Sequence, residues 1–173
     1  MTPSLGKVYL VGSGPGDPGL ITLRGAQLLS RANAVLYDYL VNPLILAHAN
    51  RSAELICLGR HGHGRLMPQS EINARLVELA RQGRTVVRLK SGDPVVFARA
   101  TEEIATLEAA GISYEIVPGI TAALAAGSYA GIPLTVGDGA SAVALVTGQE
   151  REDKAATSLD FEALATFPGT LVF

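Results

Sequence analysis

The sequence has 173 residues, room for one ordinary domain or for one domain and part of another. With 48% hydrophobic and 17% charged residues it can build a core, and a net charge of −2 with 5% aromatics and no Trp lacks the basic field and stacking platforms of a nucleic-acid binder. Cys57 is the only cysteine, which excludes internal disulfides and a cysteine metal cluster, and neither a signal peptide nor a run of about 18 apolar residues is found. The expectation is a soluble cytoplasmic protein with neither nucleic acid nor membrane as partner.

Taken in order, the chain alternates. Strand-like apolar runs fall at 8–11, 34–37, 54–57, 85–89 and 114–117, and helical patterns at 22–31, 43–49, 70–82, 95–110 and 121–129. Ser70 is placed to cap the third helix, which Gly83 ends, and Gly111 ends the fourth. Five such units predict an α/β fold, a mainly parallel five-stranded sheet covered on both faces, over residues 1–136. Residues 137–173 read as a linker and the incomplete start of a second α/β domain: a strand at 142–147, a short helix at 161–165 and a strand from 170. Such a half-built unit cannot bury its own faces, so the chain is expected to be a piece of a longer one.

Three stretches carry chemistry. The first, 7–25, runs from an apolar strand into Gly12, Gly14, Gly16 and Gly19, interrupted by Pro15, Asp17 and Pro18. Strand, glycine loop and helix form small-molecule sites at the carboxyl end of a sheet, and this loop has more glycine and proline than one turn requires. Gly14 to Gly19 fits G-x-G-x-x-G, with Asp38 near the position of a ribose-binding acid, so a nicotinamide-dependent oxidoreductase is one reading. Dinucleotide loops offer backbone N–H groups to a pyrophosphate, however. Pro15 and Pro18 have none, and Asp17 puts negative charge where phosphates would lie. A ligand without phosphate, with positive charge, suits the loop better.

The second stretch, 85–103, leads a buried strand into Ser91-Gly92-Asp93-Pro94 and then a helix. Asp93-Pro94 fits an N-cap followed by proline at the first helical position. A carboxylate there discourages phosphate and favours hydroxyl or amine donors. The third stretch, 117–135, turns at Pro118-Gly119 and continues into a helix of small residues that Thr121 could cap. Ala122, Ala123, Ala125 and Ala126 permit close approach of another backbone or of a flat ligand.

Together these stretches, with Ala34–Pro43 and Met67–Asn73, resemble the tetrapyrrole methylase family, in motif order, from about residue 7 to 173. The element from Tyr37-Asp38 to Asn42-Pro43 is most similar to its uroporphyrinogen-III C-methyltransferase branch. The resemblance implies S-adenosyl-L-methionine as methyl donor, with S-adenosyl-L-homocysteine as product, and two α/β domains in a homodimer. It also implies double methylation of uroporphyrinogen III, through precorrin-1 to precorrin-2, for sirohaem and cobalamin biosynthesis. Another precorrin or cobalt-precorrin methyltransferase is the alternative within the family, and a non-catalytic piece that keeps a ligand pocket is another. By the same resemblance the cofactor site draws on Pro15, Ser91, Gly92, Asp93, Val96, Thr121 and Ala122, and Asp38 matches the family's base. Such a base would take the proton released as a pyrrole carbon is alkylated; the other reading is a strand-end Asp bound to backbone or ribose.

Three departures from the family pattern matter. Ser91 replaces a glycine beside the cofactor, and Ala98 and Ala100 replace the glycines of Phe-Gly-Arg-Gly. Arg60 stands where the family often has a lysine proton donor; an arginine stays protonated, so it reads as a clamp for substrate carboxylates. Around it, His61, His63 and Arg65 suggest a loop over a polycarboxylate, since His-x-His without a third ligand makes a poor metal site. No metal is expected.

Overall fold

The computed structural model describes residues 5–59, 66–150, 154 and 156–173. Two compact units divide it, Met1–Thr121 and Ala122–Phe173. The first holds strands β1 (Lys7–Gly12), β2 (Ala34–Tyr37), β3 (Glu54–Cys57), β4 (Thr85–Lys90) and β5 (Tyr114–Val117), with helices α1 (Leu23–Leu29), α2 (Gln69–Arg81) and α3 (Ala100–Ala109). All pairings are parallel and the strand order is β3-β2-β4-β1-β5.

Side-chain alternation along the strands makes two cores. Val8, Leu10, Leu36 and Val86 pack against Ile72, Leu76, Leu79 and Leu107 of α2 and α3. Val11, Val35, Val87 and Leu89 pack on the opposite face with Leu28 and Leu29 of α1 and with Ile45. Both faces are covered, as parallel sheets require. Gly83 and Gly111 end α2 and α3 with φ of 76° and 65°, a conformation that costs a side chain but not glycine.

Ion pairs fasten the amino ends of the outer strands. Glu54, first in β3, pairs with Arg84 at 2.6 Å and with Arg75 of α2 at 3.0 Å. On the other edge, Glu115 of β5 pairs with Lys7 of β1 and with Arg24 of α1, both at 2.9 Å. The carboxyl ends are left to loops.

Three local expectations are corrected. The segment 43–49 forms a 3-10 helix, Pro43–His48, rather than α-helix. The cap of α2 falls at Pro68, with no side-chain bond, so Ser70 lies inside the helix. The fourth helical pattern begins at Ala100 rather than at 95, because Phe97 (φ 52°) and Arg99 (φ 53°) turn left-handed and break the run.

The second unit holds α4 (Ala122–Ala130), β6 (Val143–Leu145), α5 (Phe161–Ala165) and β7 (Thr170–Val172), with β6 and β7 parallel. The unit starts ahead of residue 137 because α4 packs onto the chain that follows it. A Cβ on its Gly127 would lie 2.8 Å from the Ile132 carbonyl and 2.9 Å from Leu134. Asp160 caps α5 through the Ala163 N–H.

Candidate functional site

The loops leaving β1, β4 and β5 are locked together at their glycines. Gly14 and Gly92 exchange backbone hydrogen bonds, N–H to carbonyl at 3.1 and 2.9 Å. A Cβ on Gly12 would stand 2.6 Å from Gly119 Cα and from the Gly92 carbonyl oxygen. Three backbones meet here at a distance only glycine allows. Asp93 is buried across the same junction: its Oδ1 accepts from Val95 N–H at 2.8 Å, and its Oδ2 accepts from Gly119 N–H at 3.0 Å. Asp93 therefore ties the β4 loop to the β5 loop through an Asx turn and caps no α-helix.

The loop after β1 is ill-suited to a pyrophosphate. Its Gly14 N–H is spent on Gly92, and its Gly19 N–H on the Asp17 carboxylate at 2.8 Å. Pro15 and Pro18 offer no N–H, and α1 starts only at Leu23, capped by Thr22. The G-x-G-x-x-G match thus does not present the donors that a dinucleotide needs. Asn42, to which the sequence assigned no role beyond its place in the family-like element, donates to the Gly16 carbonyl at 2.7 Å and holds the β1 loop against the β2 loop.

Beside this junction a cleft of about 500 Å³ opens at the carboxyl ends of β2 and β4. Asp38, Arg88, Lys90, Ser91, Val96 and Arg99 are in its lining, with an apolar wall that includes Leu58, Met67 and Ile72. The period of two places its charges. Val86, Arg88 and Lys90 follow one another on the α2–α3 face of β4, and Leu36 pairs with Arg88, so Asp38 falls next to Lys90. Arg88 is 3% exposed. Its Nη2 donates to Asp38 Oδ1 at 2.6 Å, and its Nε donates to Glu103 Oε1 at 2.8 Å. Lys90 Nζ donates to Glu103 Oε2 at 2.9 Å. Burial, and next the neighbouring Arg88 charge, push the Lys90 ammonium below the usual lysine range, against the pull of Glu103.

Of the residues nominated from sequence, Asp38, Ser91 and Val96 line the cleft, and the Ser91 N–H approaches Asp38 Oδ2 at 3.4 Å. Gly92 and Asp93 belong to the glycine junction, Pro15 follows its Gly14 in the β1 loop, Thr121 closes the first unit, and Ala122 opens the second. Arg60, with His61, His63 and Arg65, lies outside the described residues. Among the described residues no cluster of His, Cys, Asp and Glu could hold a metal ion, and no helix is long and apolar enough to cross a membrane. Arg88, Lys90 and Glu103 escaped the sequence reading. Their signal is two cations alternating in an otherwise apolar strand, with a glutamate at the core spacing Ala100, Glu103, Leu107 of the next helix.

The chain belongs to the Tetrapyrrole (Corrin/Porphyrin) Methylases, whose family model matches residues 7–173. It is 52% identical over 168 residues to a siroheme synthase of Baumannia cicadellinicola subsp. Homalodisca coagulata, covering 97% of this chain and 36% of that protein. It is 48% identical over 172 residues to the S-adenosyl-L-methionine-dependent uroporphyrinogen III methyltransferase of Methanosarcina barkeri, covering 99% of this chain and 68% of that one. The uroporphyrin-III C-methyl transferase of Thermus thermophilus, solved in complex with S-adenyl homocysteine, superposes with a TM-score of 0.70 at 43% identity, over 84% of this chain and 57% of that one. The chain thus spans about a third of the siroheme synthase it matches.

Proposed function

We propose that the protein is an S-adenosyl-L-methionine-dependent C-methyltransferase acting on uroporphyrinogen III, with precorrin-1 and precorrin-2 as successive products. One observation carries the reading. A loop junction whose Gly14 and Gly19 N–H groups are already bonded within the protein adjoins a cleft where Asp38 is held beside Arg88, in a chain 48% identical to a methyltransferase of that name.

The residues fit the cofactor chemically. It carries a sulfonium and an amine but no phosphate, which suits loops bearing Asp17 and Asp93 rather than free N–H donors. When bound it supplies an electrophilic methyl group. Pro15, Ser91, Gly92, Asp93, Val96, Thr121 and Ala122 are the residues that would hold it, those of the β4 loop being stiffened by the Asp93 clamp.

Asp38 takes the proton released from the alkylated pyrrole carbon. Its Oδ1 is committed to Arg88, whereas among the described residues Oδ2 has only the long Ser91 contact and retains lone pairs for a proton. Most of the rate gain comes from positioning. Arg60 clamps a substrate carboxylate. Two α/β domains, a homodimer and a cytoplasmic location belong to the same reading and are supported by the family resemblance.

Incubating the full-length protein with methyl-labelled cofactor and uroporphyrinogen III under reducing conditions tests the reaction. One and then two labelled methyls on the tetrapyrrole are expected; an unlabelled tetrapyrrole from a folded protein refutes the activity.

A further inference from the structure

Glu103 has no solvent exposure, lies on the core face of α3 and takes no part in the chemistry above. A buried carboxylate is expensive, and well-packed apolar residues often serve stability equally well. Its contacts indicate another use. Oε1 accepts from Arg88 Nε at 2.8 Å and from Gln69 Nε2 at 3.2 Å, and Oε2 accepts from Lys90 Nζ at 2.9 Å. The same guanidinium donates through Nη1 to the Leu89 carbonyl at 3.2 Å and through Nη2 to Asp38 Oδ1 at 2.6 Å. Arg88 is held at Nε and Nη1 by partners other than Asp38, so its plane is fixed independently of the Nη2 bond to Asp38.

The geometry points to Glu103 as a positioning residue that acts through Arg88 to set the Asp38 carboxylate for proton acceptance. This rests on the C-methyltransferase reading for what Asp38 does, though not for how it is held. The orientation of a residue at the end of β2 is then decided from α3, two side chains away. A glutamate that only neutralised Arg88 and Lys90 would affect folding and ligand affinity, with no specific tie to Asp38.

The test uses the full-length protein and its Glu103→Gln, Asp38→Asn and doubly substituted forms. Glu103→Gln is expected to lower kcat on the order of 10- to 100-fold, the cost of a misplaced group. KM and the Kd for S-adenosyl-L-homocysteine should stay within about twofold. The double variant should be no slower than Asp38→Asn alone, because both act through one carboxylate. Losses that multiply, or an unchanged kcat in Glu103→Gln, overturn the proposal.

A second measurement does not need turnover. The carboxyl 13C resonance of Asp38 is expected to move in Glu103→Gln, and an unmoved resonance overturns the proposal. Should Glu103→Gln fail to fold, Arg88→Lys keeps the positive charge but cannot span both carboxylates, and it should show the same displaced resonance and lowered kcat. A wild-type protein that transfers no methyl removes the functional reading, while the resonance still decides the positioning.

Discussion

Four charged groups gather where β4 ends, and each is matched. Arg88 and Lys90 face Glu103, and Arg88 also faces Asp38. The balance explains how Arg88, Lys90 and Glu103 can sit at 3%, 2% and 0% exposure, since an unmatched charge there would be prohibitively costly. Glu103→Ala strands the buried Lys90 ammonium and leaves Arg88 with Asp38 alone, and is expected to lose about 3–5 kcal/mol of stability in urea unfolding, as when one partner of a buried pair is removed. A loss below 1 kcal/mol would mean that the cations relax into solvent. The group was hard to read in the sequence because Arg88 and Lys90 each look like an ordinary strand charge. Only the register with Leu36 and the turn of α3 bring their partners across. Asp38 was legible because it follows an apolar strand directly.

At the level of elements, the strands at 34–37, 54–57 and 114–117 were read to their ends, because apolar runs bounded by polar turns define them. The start of α3 was not. Asp93-Pro94 has the local form of a helix start, but the Asp93 carboxylate is drawn across to Gly119, and the chain passes through Phe97 and Arg99 before helix begins. Tertiary contact overrides the local signal. Asp93→Ala should cost about 2 kcal/mol, the worth of a hydrogen bond to a charged acceptor, and weaken S-adenosyl-L-homocysteine binding by separating the β4 and β5 loops. Thermal melting and calorimetry on the one variant read both effects. Gly12→Ala is expected to be worse than an ordinary surface change, at about 1–3 kcal/mol, because its Cβ would lie 2.6 Å from backbone atoms of two other loops.

Over the first unit, stability and chemistry sit at opposite ends of the sheet. The amino ends are tied by Glu54 and Glu115, and the carboxyl ends hold the cleft. Hydrogen bonds from Arg84 hold the Glu54 carboxyl below its usual 4.5, and those from Lys7 and then Arg24 do the same for Glu115. A lowered folded-state value means stability that is present above 4.5 and lost as pH falls below it. Both groups are partly exposed, so the loss is small and weakens with salt. The double variant Glu54→Gln, Glu115→Gln should flatten the stability profile in that acid window, and an unchanged slope would show that other carboxylates govern it.

The central claim is that the glycine junction serves a cofactor without phosphate. Isothermal titration of the full-length protein with S-adenosyl-L-homocysteine and, separately, with NAD tests it most directly. The account predicts saturable binding of the first and none of the second. Binding of NAD without S-adenosyl-L-homocysteine would contradict it, and would restore the dinucleotide reading of Gly14 to Gly19.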